Sequence, residues 1–165
     1  MVNQLTVIDL WKHLEEVPDP EIPVISVIDL GVVRDIKLFS DGEVKVVITP
    51  TYTGCPAMNE IALGIRFKLM ELGFFNITIQ EQLSPAWSTD WLSESGRQKM
   101  KDYGIAPPEK GKHKEVLFAD QDGITCPQCE SSNTRLVSQF GSTACKAMYQ
   151  CNTCLEPFDY FKCHH

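Results

Sequence analysis

Two CxxC pairs, Cys126-Pro-Gln-Cys129 and Cys151-Asn-Thr-Cys154, constrain this chain more than any other feature. Each pair lets one turn present two thiolates to a single ion. Two such turns supply four sulfur ligands in the tetrahedral arrangement of closed structural zinc sites. Twenty-one residues separate the pairs, enough for a hairpin between the turns. Two disulfides are the alternative, and they would suit an oxidising compartment. The first residues, MVNQLTVIDLWKHLEEV, carry acidic groups early and lack an uninterrupted apolar core, so a secretory signal is not expected. No stretch reaches the roughly 20 apolar residues of a membrane span. The expectation is a soluble, cytoplasmic chain with reduced thiols.

Composition changes near Gly104-Ile105-Ala106-Pro107-Pro108, where prolines and glycines break any helix and the polar remainder has little to bury. The reading is therefore residues 1–104 as a first domain, 105–114 as a linker and 115–165 as a second domain. Only Cys55 lies before the linker; the other six cysteines follow it. A segment of about fifty residues has little core of its own and is expected to depend on its metal to fold. A net charge of −7 with no basic run argues against nucleic acid as a partner.

In the first domain, Val7, Leu10, Trp11 and Leu14 mark one face of a helix that Pro18 and Pro20 end. Alternating residues predict strands around Ile36–Leu38 and Val44–Ile48, joined at Ser40-Asp41-Gly42. A second helix is predicted from Pro56, with Ala57, Ile61, Ile65, Leu69 and Leu72 on one side and Gly73 as its stop. A third strand follows at Phe75–Ile79, and a last helix over Thr89–Tyr103. This order predicts an α+β fold: a small sheet with helices on one face, followed by a small β zinc ribbon. In the second domain the candidate strands are Leu136–Phe140, Ala147–Gln150 and Phe158–Lys162.

Cys55 sits in Thr51-Tyr-Thr-Gly-Cys-Pro56, between a strand and a helix. Near the N-cap, backbone N–H groups and the helix dipole favour negative charge, which would lower the thiol pKa and give a reactive thiolate or soft ligand. The alternative is a small buried apolar residue. Asp19-Pro20-Glu21-Ile22-Pro23 offers two carboxylates in a stiff turn, for a metal or a basic partner, or merely an Asx turn. No histidine is placed to act as a base for Cys55. In the ribbon, Cys145 and Cys163 exceed the four ligands needed. A buried apolar role is expected for each, and His164 and His165 are not assigned as ligands.

The motifs Asp19-Pro-Glu-Ile-Pro, Val27-Ile-Asp-Leu-Gly31, Thr51-Tyr-Thr-Gly-Cys-Pro56 and Pro85-Ala-Trp87 resemble the iron–sulfur assembly-associated domain of SufT and cytosolic cluster-targeting proteins. With Phe140-Gly-Ser-Thr-Ala-Cys145 and Glu156-Pro-Phe-Asp-Tyr-Phe-Lys-Cys163, the whole chain resembles the PaaD type of phenylacetate-degradation accessory protein. The resemblance implies a nonenzymatic maturation role toward a multicomponent phenylacetyl-CoA monooxygenase (epoxidase). It marks Cys55 as the functional thiol, with Asp19, Glu21, Thr51 and Thr53 around it. Cys126, Cys129, Cys151 and Cys154 would hold Zn2+, with iron or a transient iron–sulfur cluster as the alternative. Oxygenase and reductase subunits, the iron–sulfur assembly machinery and a second copy of the chain are the implied partners. An electron-carrying or structural subunit of the oxygenase, or an interaction module with Cys55 merely buried, is the competing role.

Overall fold

A computed structural model describes residues 5–110 and 123–162. Thr6 caps the first helix, α1 (Val7–Leu14), through a reciprocal bond with Asp9, and Leu10 and Leu14 turn inward. The hairpin forms as its turn residues predict, from β1 (Val33–Leu38) to β2 (Val44–Ile48). Helix α2 (Met58–Glu71) buries Met58, Ile61, Ile65 and Leu69, a spacing that lines one face of a 3.6-residue helix. It carries the chain to β3 (Ile77–Glu81), which pairs parallel with β2, so the sheet order is β1-β2-β3. Helices α1 and α2 pack against each other and against this sheet, and the alternate residues Val44, Val46 and Ile48 complete the core.

The predicted helix over Thr89–Tyr103 is broken. A single 3-10 turn, Thr89–Trp91, ends at an extended Leu92, and α3 runs only over Glu94–Tyr103. Two serines explain the break: the Ser88 side chain accepts from the amide of Asp90, and Ser93 accepts from that of Gly96, each capping its own start. Helix α3 does not cover the first sheet, as expected of it, but packs beside β4 (Ile105–Ala106).

That short strand falls at the start of the segment read as linker. It pairs parallel with β7 (Pro157–Phe161) in a second sheet ordered β4-β7-β6-β5, with β5 at Thr134–Ser138 and β6 at Lys146–Cys151. Arg97 of α3 is buried and its guanidinium donates to the carbonyls of Pro108 and Thr89, which holds the following residues against the first domain. The two halves also share a core. Phe161 packs edge-to-face on Trp87 at 5.9 Å, and Trp87, 2% exposed, donates its indole N–H to the Leu30 carbonyl at 2.9 Å. The ribbon keeps only a small cluster of its own: Ala106, Cys126, Ala147, Tyr149, Cys151 and Phe158. Among the described residues no helix is long and apolar enough to cross a membrane.

Candidate metal and thiol sites

Two candidate sites emerge, one within the ribbon and one around Cys55 where the two halves meet. In the ribbon, the sulfurs of Cys126, Cys129, Cys151 and Cys154 all lie within 4.8 Å of one another. The Cys126–Cys154 and Cys129–Cys151 sulfur pairs are 3.7 and 3.5 Å apart. A tetrahedral ion with metal–sulfur bonds of about 2.3 Å requires sulfur separations of about 3.8 Å, so the donor set fits zinc in geometry and in chemistry. The turn after Cys151 folds back so that the amides of Cys154 and Thr153 point at the Cys151 sulfur, at 3.5 and 3.4 Å. Those amides, with the neighbouring thiols, bring Cys151 down to about 6 and favour the thiolate a metal needs.

The second site is built around Asp19-Pro-Glu-Ile-Pro. Asp19 is 4% exposed and its Oδ1 accepts the amides of Glu21 and Ile22 at 2.9 and 2.7 Å. This is the Asx-turn reading of the motif. Burial pushes the Asp19 carboxyl up, against the pull of those two amides. Backbone bonds from Val27 to Val17 and from Asp19 to Ile25 close the segment into a loop beside the start of α2. The loop, Thr51 and Cys55 line a common cavity with Leu30, Met58 and Ile61. Thr53 is exposed and does not line it.

Cys55 does not cap α2. The helix begins at Met58 with Ala57 as its N-cap, and Cys55 lies half-buried in the turn before it. The expected low thiol pKa is not found either: burial pushes Cys55 up, only partly offset by the Ala57 amide and the Tyr52 hydroxyl at its sulfur, and the Glu21 and Asp19 carboxylates push it further. Desolvation and two carboxylates outweigh the helix terminus. Alkylation of Cys55 should therefore be slow at neutral pH and its rate should keep climbing past pH 9, the ordinary thiol value. A rate already level below pH 8, followed by peptide mass spectrometry, would contradict this.

Sequence reasoning missed the far wall. Cys145, expected to be an apolar filler, is 2% exposed and packs into the core of the first domain, not the ribbon's own cluster. Its thiol donates to Glu21 Oε2 at 2.9 Å and lies 3.0 Å from Thr143 Oγ1. Burial, followed by the Glu21 contact, raises it to about 12. The neighbouring Lys146 donates from Nζ to the Glu21 carbonyl at 3.1 Å. Cys145 and Phe161 line the same cavity as Cys55. Cys163, His113, His164 and His165 lie outside the described residues.

The fold and both sites define a class: a two-part chain whose first half matches the model described as "Iron-sulfur cluster assembly protein" over residues 9–73 and whose second half matches "PaaD zinc beta ribbon domain" over residues 110–162. A relative from Escherichia coli (strain K12), a subunit of the "Putative 1,2-phenylacetyl-CoA epoxidase", is 45% identical over 155 residues, covering 94% of this chain and 92% of its own. The chain belongs to the PaaD family. A "Fe-S protein maturation auxiliary factor" from Porphyromonas gingivalis is 37% identical over 87 residues, 52% of this chain and 82% of that protein. Among solved structures, a conserved hypothetical protein from Thermotoga maritima aligns with a TM-score of 0.52 at 28% identity, covering 61% of this chain and 98% of that one. A domain of unknown function from Bacillus anthracis shares the fold at a TM-score of 0.53 and 24% identity, over 56% of this chain and 89% of that one.

Proposed function

We propose that this protein is a nonenzymatic accessory factor that assists assembly of an iron–sulfur cluster or metal centre in a multicomponent phenylacetyl-CoA monooxygenase. Cys55 is the thiol that holds or relays the metal or cluster, and the ribbon, with Zn2+ on Cys126, Cys129, Cys151 and Cys154, is the docking module. The observation that carries this reading is a half-buried thiol beside a cavity walled by carboxylates, with the four ribbon cysteines left to a separate, closed site. Asp19 shapes the loop, Glu21 supplies a carboxylate, and Thr51 lines the wall; Thr53 belongs to the surface nearby. The relatives' names support the role: one is named as an epoxidase subunit and another as a maturation factor for Fe-S proteins. Partners are the oxygenase and reductase subunits and the iron–sulfur assembly machinery in the cytoplasm, with self-association into a homodimer a further element of the proposal.

A competing reading makes the ribbon an electron carrier, since an all-thiolate set holds iron as readily in geometry as zinc. Iron absorption in the visible range that bleaches on reduction would favour it.

The test is the iron and acid-labile sulfide content of the purified oxygenase from cells carrying Cys55→Ser. The expected result is a fall to the level found without this protein, while the variant itself remains folded and retains one zinc. Full cluster content would defeat the relay role.

A further inference from the structure

We propose that the outer face of α2 is a self-association surface, on which a second copy of this chain lays its own α2, parallel, across a two-fold axis. The inference deepens the self-association part of the function proposed above and stands apart from the relay role of Cys55.

The face is defined by contrast with the core. Met58, Ile61, Ile65 and Leu69 turn inward, and the opposite side of the same helix should be polar. It carries Leu63, Phe67 and Met70 instead, which are 51%, 62% and 40% exposed. Single exposed apolar side chains are ordinary, whereas three in line on one helix mark a contact surface. Their spacing of four residues and then three is the d-a-d pattern of a coiled-coil seam. Phe67 takes an a position, and Leu63 and Met70 take d positions.

Charge along the seam selects the partner and its direction. In that register Arg66 is a g residue and Glu71 an e residue, one on each flank and both exposed. When two copies of one helix pair in parallel, the g residue of each lies beside the following e residue of the other. Arg66 of either copy then meets Glu71 of its neighbour, so the axis generates two opposite-charge pairs. An antiparallel pair would set the Arg66 flank against its own copy. Arg66 is already positioned beside the stripe, because its Nη1 donates to the Ile77 carbonyl at 3.0 Å. A guanidinium keeps further N–H donors for a carboxylate. Glu71 lies 3.2 Å from Lys68 of its own helix, and its side chain is 69% exposed and open to a second cation.

The rest of the fold already holds α2 in shape, so pairing does not have to order it. A 14-residue helix pair buries less than the about 800 Å² per partner of a standard interface, which makes this a weak dimer with a Kd on the order of 10 µM. Its direction has a consequence for the thiol site. Cys55 lies in the turn that precedes α2, and helix axes in such pairs run about 8–10 Å apart. A parallel pair brings both Cys55 turns to the same end of the dimer; an antiparallel one would send them to opposite ends.

Light scattering on a size-exclusion column tests this with the full zinc-loaded chain, in reductant, at about tenfold above that Kd. The parent is expected to run as a dimer, and Phe67→Ser as a monomer with an unchanged melting temperature. Arg66→Glu and Glu71→Arg should each weaken the dimer about tenfold, since each turns two attractions into two repulsions. The double variant Arg66→Glu/Glu71→Arg should return close to the parent. A monomeric parent would overturn the proposal, with the oxygenase iron assay still deciding the role of Cys55. A dimer that survives Phe67→Ser is held by another surface and also overturns it. Charge swaps without effect, or a double variant no better than either single one, would overturn the parallel arrangement. If Arg66→Glu lowers the melting temperature through its lost bond to Ile77, Glu71→Arg and Leu63→Ser decide: a dimer unchanged by both refutes the proposal.

Discussion

Replacing Cys126 with Ser is expected to empty the ribbon of metal and to melt its sheet, the largest effect any single substitution should have here. Binding of a structural zinc supplies on the order of 10–16 kcal/mol at neutral pH, and in a module this small that energy is the folding energy. The ribbon's own cluster has six residues, two of them cysteines of the proposed zinc set, so little apolar burial would remain without the ion. The damage should not stop there. Phe161 and Cys145 of the ribbon belong to the first half's core, and β7 carries β4. The Cys126→Ser chain should therefore expose Trp87 and speed alkylation of Cys55, because two walls of its cavity leave with the ribbon. Zinc content, far-ultraviolet dichroism and peptide-level alkylation together test this. A variant with one zinc and a parental melting profile would refute it, and unchanged Cys55 reactivity in an unfolded ribbon would refute the coupling.

Gly31→Ala should be the most damaging change within the first half. Gly31 has φ +74°, in the left-handed region, and a Cβ there would lie 2.4 Å from the carbonyl oxygen of Trp91 and 2.8 Å from its Cβ. Backbone, not a flexible side-chain end, occupies the space, so Trp91 must move. Around that contact Asp29 holds the segment in place: its carbonyl accepts the Ser93 amide at 2.8 Å, and its carboxylate accepts from Ser93 Oγ and Lys99 Nζ at 2.7 and 2.6 Å. Displacing Trp91 disturbs all three, and the Trp87 indole bond to Leu30 is one residue away from Gly31. Left-handed strain of about 1–3 kcal/mol and overpacking of similar size together give roughly 3 kcal/mol or more. For a chain of this length that lowers the melting temperature by about 6–12 °C. A shift under about 2 °C would show that the Trp91 segment yields easily.

Features written in short stretches of sequence were legible. The grouping of the four ribbon cysteines announces itself by local spacing, and the hairpin and α2 by periods of two and 3.6 residues. The break before α3 has a local signal too, for Ser88 and Ser93 each stand one residue before a helical start. An apolar pattern that continues through Leu92 masks it. Cys145 was not legible. Its contact with Glu21 joins residues 124 apart, and no periodicity encodes which face of a ribbon loop meets which turn of another half. The Cys55 thiol defies expectation for a related reason: a helix terminus is a local cue, whereas burial beside Glu21 and Asp19 is set by the tertiary fold. Strand β4 shows the same limit, since two residues between a glycine and two prolines carry no strand signal until β7 is there to pair with them.

The wall that Phe161 and Cys145 contribute to the Cys55 cavity also sets a schedule during synthesis. Phe161 leaves the ribosome about 57 residues after Gly104, which at roughly 5–20 residues per second is a delay of about 3–11 s. The hairpin, α2 and the Asp19 loop can pack within that interval, while the cavity still lacks its far side. A nascent chain thus presents Cys55 and Glu21 to its surroundings for several seconds, and completion of the ribbon is the event that closes them in.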